Sequence, residues 1–177
     1  MGWTVKGDLS AARQYSGAAG TKDAALSFGG DTSDAYGDRL SSTEEYGGAT
    51  WSTGGSLPIA TSHSGGCGTQ TAALCVGGDT VGFDFVTNTY TYNGTAWSAS
   101  VNLLAANGNM AAFGTTSAAV SCGGGHFSGG ALTPAPTELF NGVAWSSGNN
   151  MNYSSNEHSG SGSQTTGICT GCWTVAF

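Results

Sequence analysis

Charged side chains are scarce in this sequence. Asp, Glu, Lys and Arg together make up 8% of its 177 residues, about a third of the share usual in soluble domains. The basic ones are Lys6, Arg13, Lys22 and Arg39, and none follows position 39. With a formal net charge of -7, the chain lacks the cations that neutralise a phosphate backbone, which argues against nucleic acid as a partner. Long apolar runs are absent too. No stretch reaches the roughly 18 to 20 apolar residues of a membrane helix, and the N-terminal "MGWTVKGDLSAAR" lacks the apolar core of a secretion signal. A membrane is therefore not expected as a partner, and an extracellular or virion location, if that is where the protein works, is not written here as a standard signal.

Helical periodicity is missing as well: no window of 11 to 18 residues repeats its apolar positions at helical spacing. Five cysteines, Cys67, Cys75, Cys122, Cys169 and Cys172, are too few and too odd in number for a disulfide scaffold. Most read as small buried hydrophobes, with a single disulfide left open. Catalytic signatures do not stand out either: there is no GxSxG, no paired-carboxylate motif and no phosphate loop. No enzyme activity and no cofactor is expected.

What the sequence does contain is a repeat. "GTKDAALSFGG" from Gly20 returns as "GTQTAALCVGG" from Gly68, "GTTSAAVSCGG" from Gly114 and "GSQTTGICTGC" from Gly162, at spacings of 48, 46 and 48. Trp3, Trp51, Trp97 and Trp145 keep the same spacings, so two independent landmarks move together. Each unit opens its repeat with an alternating run such as "AALSF", which is strand-like, and then a Gly-Gly where the backbone turns or approaches another chain closely. After a variable loop, "STEEYGGATW", "NTYTYNGTAW" and "PTELFNGVAW" read as strand, tight turn and strand, with Gly48, Asn93-Gly94 and Asn141-Gly142 at the turns. An aromatic, Tyr46, Tyr92 or Phe140, precedes each tryptophan by five. The fold class expected is all-β, in four Trp-led units over 3–50, 51–96, 97–144 and, in part, 145–177, within one domain. A large ring recurring at the period predicts that Trp51, Trp97 and Trp145 are buried between units.

Gly-Gly after a hydrophobic strand, an aromatic, and a tryptophan five residues later resembles the kelch repeat of galactose-oxidase-type β-propellers, and the wording also resembles kelch-like repeats of phage tail-fibre and environmental bacterial proteins. The resemblance covers essentially the whole chain and implies about four blades. The copper site that galactose oxidase would imply has no residue-by-residue match here. Two departures stand out: Cys172 replaces the second glycine of the fourth unit with no "STEEY" strand after it, and Trp3 falls in the last strand of a blade. Strand exchange between the two ends would complete the fourth blade. Open edges that pair with another copy are the alternative.

Candidate sites follow from the register. Tyr15, His63, Asn109 and Glu157 occupy equivalent positions at the expected innermost strand, where they line a channel or could hold a cation. Asp31, Asp34, Asp38, Asp79 and Asp84 are oxygen ligands at close spacing, but the full calcium-loop pattern is absent. Cys169-Thr170-Gly171-Cys172 is formally C-x-x-C on a strand ending, where the helix N-terminus that activates such thiols is missing. The long loops at 31–42, 79–88 and 125–136 carry Tyr36, Asp38, Arg39, Phe83, Asp84, Phe85, His126 and Phe127, aromatics among polar neighbours of the kind that contact sugars or proteins. These features suggest a non-catalytic structural or adhesive module, a phage tail-fibre or other extracellular fibre component whose partners are its own copies or neighbouring fibre proteins. A monomeric glycan-binding propeller, with cell-surface glycans as ligands, is the alternative.

Overall fold

The computed structural model of the chain describes residues 6–33, 38–82, 84–125, 127–128, 131–132, 137–151 and 157–171. The described residues contain strands and no helix. A first four-stranded antiparallel sheet is formed by β1 (Gly17–Thr21), β2 (Ala24–Phe28), β3 (Thr43–Tyr46) and β4 (Trp51–Gly54), in that spatial order. A second repeats it with β5 (Gly65–Thr69), β6 (Ala72–Val76), β7 (Thr89–Tyr92) and β8 (Trp97–Ala99). In the third, β9 (Ala111–Thr115) and β10 (Ala118–Cys122) precede a hairpin of β11 (Phe127–Ser128) and β12 (Ala131–Leu132), inserted where the sequence suggests only a loop, and β13 (Thr137–Phe140) and β14 (Trp145–Ser147) complete the sheet. The last sheet, among the described residues, has β15 (Ser159–Ser161) and β16 (Ile168–Thr170) alone. Repeated four-stranded meanders of this kind are compatible with a propeller-like arrangement.

Registers match from sheet to sheet. Tyr46 lies opposite Trp51, Tyr92 opposite Trp97 and Phe140 opposite Trp145, so the five-residue spacing in the sequence is a cross-strand aromatic pair over a tight turn. Asn93 and Asn141 explain that turn: each side-chain oxygen accepts from the backbone N–H groups two and three residues on.

The first strands of the sheets pack side by side, β1 on β5, β5 on β9 and β9 on β15. They are rich in Gly and Ala, with Cys67 and Phe113 as the larger apolar side chains, because the approach is close. A Cβ on Gly66 would sit 2.4 Å from the Ala18 carbonyl oxygen, and one on Gly160 would sit 2.4 Å from the Phe113 ring. With so little side chain at this crowded line, the apolar core lies between consecutive sheets. Leu26, Phe28 and Leu57 of the first meet Cys75, Tyr92 and Trp97 of the second; Leu74, Val76 and Leu103 of the second meet Phe140 and Trp145 of the third. Indole nitrogens add a polar tie across the gap: Trp97 Nε1 donates to Thr43 Oγ1 at 2.9 Å and Trp145 Nε1 to the Val101 carbonyl at 3.1 Å.

Trp97 and Trp145 are thus buried between units as expected, 7% and 5% exposed. Trp51 is only half-buried. The reason is positional: each of these rings packs backward onto the preceding sheet, and Trp51 belongs to the first.

The third gap is held differently. Cys122 and Cys169 form a disulfide within a cluster of Ala111, Phe113, Val120 and the partly buried Met151. The two cysteines are not repeat equivalents. Cys122 directly precedes its Gly-Gly and faces forward, as Phe28 does, while Cys169 stands one position earlier in its strand and faces backward, as Cys75 does toward Phe28. A loop closed over 47 residues contributes about 4 kcal/mol in the chain-entropy account. Cys67 and Cys75 are buried free thiols, and burial pushes both up to about 12, so they remain protonated and unreactive in the folded protein.

Replacing Trp97 with Ala is expected to cost about 3–5 kcal/mol, the range for deleting a buried aromatic, and replacing Trp51 distinctly less. Urea denaturation of both variants checks this; equal losses would contradict the backward packing.

Candidate functional site

Each first strand is entered through one residue in the left-handed region: Tyr15 (φ 55), His63 (φ 54), Asn109 (φ 57) and Glu157 (φ 58). The backbone there links sheet to sheet. His63 N donates to the Tyr15 carbonyl at 2.9 Å, Asn109 N to the His63 carbonyl at 3.0 Å and His158 N to the Asn109 carbonyl at 3.3 Å. This conformation costs an ordinary L-residue roughly 1–2 kcal/mol. Every other positive-φ position among the described residues is glycine. At these four equivalent positions a chain rich in glycine instead carries a phenol, an imidazole, an amide and a carboxylate.

All four line one cavity of about 500 Å³, together with Ser16, Ser64, Ser159, Met110 and His158. A second space of about 250 Å³ lies between the first strands and shares five of those wall residues. The repeat register therefore brings the four together. Tyr15 is 49% exposed and stacks on His63, ring centroids 4.1 Å apart at 23°. Ser64 Oγ is buried without an oxygen or nitrogen partner among the described residues and leans on the Cys75 thiol, a weak hydrogen-bonding group.

Below the mouth sits a buried ionic network. Arg39 Nη2 lies 2.5 Å from Asp79 Oδ2, both side chains almost wholly buried, and Ser62 Oγ donates to Asp79 Oδ1 at 2.5 Å. His63 Nδ1 is 3.2 Å from the same Oδ1. Burial alone would raise the Asp79 pKa, but hydrogen bonds from His63, Arg39 and Ser62 outweigh it and bring the carboxyl down to about 2. Asp79 is thus an acceptor only, and His63 turns its Nδ1–H toward it. That fixes the imidazole plane on which Tyr15 lies. Ser62, His63 and Asp79 share residue types with a nucleophilic triad but not its geometry: a triad needs serine and carboxylate on opposite ring nitrogens, whereas here both meet Nδ1 and Ser62 is fully buried. Among the described residues no group of three or more His, Cys, Asp or Glu is arranged to hold a metal ion.

Of the loop residues singled out from sequence, Arg39 and Phe85 are brought near each other through Asp79, which is ion-paired to the first and β-bridged to the second. Arg39 is buried in the ion pair with Asp79, which takes its guanidinium out of an exposed contact surface. Phe85 folds back onto the next unit, its ring 2.2 Å from where a Cβ of Gly108 would stand. Asp38 and Asp84 are exposed, Asp38 accepting from Ser33 Oγ at 2.8 Å. Phe127 lies on β11, while Tyr36, Phe83 and His126 fall outside the described residues, as do Asp34, Trp3 and Cys172.

Sequence reasoning missed one recurring device. Gln70 Nε2 donates to the carbonyls of Ala25 and Tyr46, and Gln164 Nε2 to those of Ala119 and Phe140. Each glutamine sits in the hairpin turn of one sheet and clamps the preceding one. The shared wording of "GTQT" and "GSQT" was the available signal. No protein-family model matches the chain, and no curated protein matches it either.

Because the folded pKa of Asp79 lies below the ordinary carboxylate value, its stabilisation is complete above pH 3.8 and lost as pH falls through about 2. Denaturation of wild type and Asp79→Asn at pH 7 and pH 2 is expected to show wild type losing about 2 kcal/mol more on acidification. An equal loss would contradict the network.

Proposed function

We propose that the chain is a non-catalytic structural or adhesive module, built as a kelch-like propeller of about four blades and assembling through an open β edge, of the kind suited to a phage tail fibre or another extracellular fibre. The observation that carries this reading is the last sheet. Where the other three have four strands, the last shows β15 and β16 among the described residues, and a strand added from another chain would complete it. The half-buried Trp51 on the first sheet is a second face suited to covering. The disulfide fits an oxidising location, and a surface of neutral residues fits a fibre. The disulfide also takes over, in the third gap, the tie that Trp97 and Trp145 make in the other two.

A second reading has its own observation. The four costly side chains at the mouth favour recognition of a ligand there, so the glycan-binding propeller stands as the alternative function, with a site at the mouth.

Sedimentation of the full chain is expected to show species larger than the 17.6 kDa monomer, and deleting residues 1–7 is expected to abolish them while leaving the β structure. A full-length chain that stays monomeric at high concentration would overturn assembly and leave the recognition reading.

A further inference from the structure

We infer that the mouth cavity takes an uncharged or amino-bearing pyranose and rejects acidic sugars. This rests on the recognition reading and names its ligand class. One wall is flat and apolar: the half-exposed Tyr15 ring, backed by His63 at 4.1 Å, offers a face on which the C–H side of a pyranose packs. The rest of the wall is polar and mixed. Asn109 supplies both donor and acceptor, the exposed Glu157 carboxylate accepts from two neighbouring hydroxyls or from an ammonium, and Ser64 Oγ lies buried with no strong partner. With Nδ1 of His63 turned to Asp79, Nε2 is the imidazole nitrogen left to meet a hydroxyl.

Charge decides the class. None of the four basic residues lines the cavity. Arg13 is buried against Glu44 and Arg39 against Asp79, Lys22 sits in the β1–β2 turn beside Asp23, and Lys6 is exposed outside the cavity wall. A sugar carboxylate or sulfate would meet Glu157 with no Lys or Arg in the wall to offset it, a like-charge contact that disfavours binding. A hydroxyl meets no such penalty, and an amine gains an ion pair. A volume of about 500 Å³ is in the range of small-molecule sites.

The test is a titration of the ¹⁵N-labelled full chain with methyl glucoside, glucosamine and N-acetylneuraminic acid, read by amide shifts. Shifts at 15–16, 63–64, 109–110 and 157–159 are expected with the first two and not the third. Tyr15→Ala is expected to weaken both about tenfold, and Glu157→Gln to weaken glucosamine more than methyl glucoside. Mouth shifts that favour the acidic sugar would overturn the class while leaving recognition at the mouth in place. Shifts confined to the loop residues 38–39 and 84–85 would overturn the mouth while leaving a glycan-binding protein. No shifts with any of the three at high millimolar concentration would overturn both.

Discussion

The close approach of the first strands to one another is the constraint on which the rest of this structure depends. Gly65 and Gly66 sit against Ala112 and Ala18 at distances that leave no room for a side chain, so the innermost line of each sheet is rich in Gly and Ala, with Cys67 and Phe113 as its larger apolar members. Little of the core can form there. Hydrophobic burial must then come from the faces between consecutive sheets, where Phe28, Leu26 and Trp97, or Val76, Leu74 and Trp145, meet across the gap. The scarcity of charge follows the same logic: most of each strand lies against another sheet, and buried charges are compensated, Arg13 by Glu44, Arg39 by Asp79, and Glu138 by the backbone N–H groups of Leu104 and Ala105.

The same crowding decides where chemistry can be displayed. Within the first strands the larger side chains, Cys67 and Phe113, are buried, but two residues before each strand the chain turns in through a left-handed position, and a side chain there opens into the mouth. Asp79 and Arg39 fix His63 from beneath, and His63 in turn supports Tyr15. A buried inter-sheet ion pair thus positions an exposed aromatic face.

Much of the fold was legible because the repeat made it so. The Trp spacing, the Asn-Gly turns and the alternation of "AALSF" each specify local geometry that needs no long-range information. The register also placed Tyr15, His63, Asn109 and Glu157 at one position. Their left-handed backbone was not legible, since nothing in Tyr, His or Glu announces a positive φ. The Cys122–Cys169 bond was hidden for another reason: its two residues occupy adjacent, not equivalent, repeat positions, and only the opposite facing of those positions across a gap brings them together. Arg39 is buried and Phe85 partly buried because the loops fold back onto the next sheet, which their composition does not reveal.

A ligand-facing role requires that the mouth side chains be kept for what they contact and against the preference of the backbone. Glu157 tests this most directly, being exposed and at φ 58. Its replacement by glycine should leave the unfolding free energy, measured by urea denaturation, unchanged or raised by up to about 1 kcal/mol. A loss greater than about 1 kcal/mol would show that the carboxylate holds the fold together, and would contradict a ligand-facing role at the mouth.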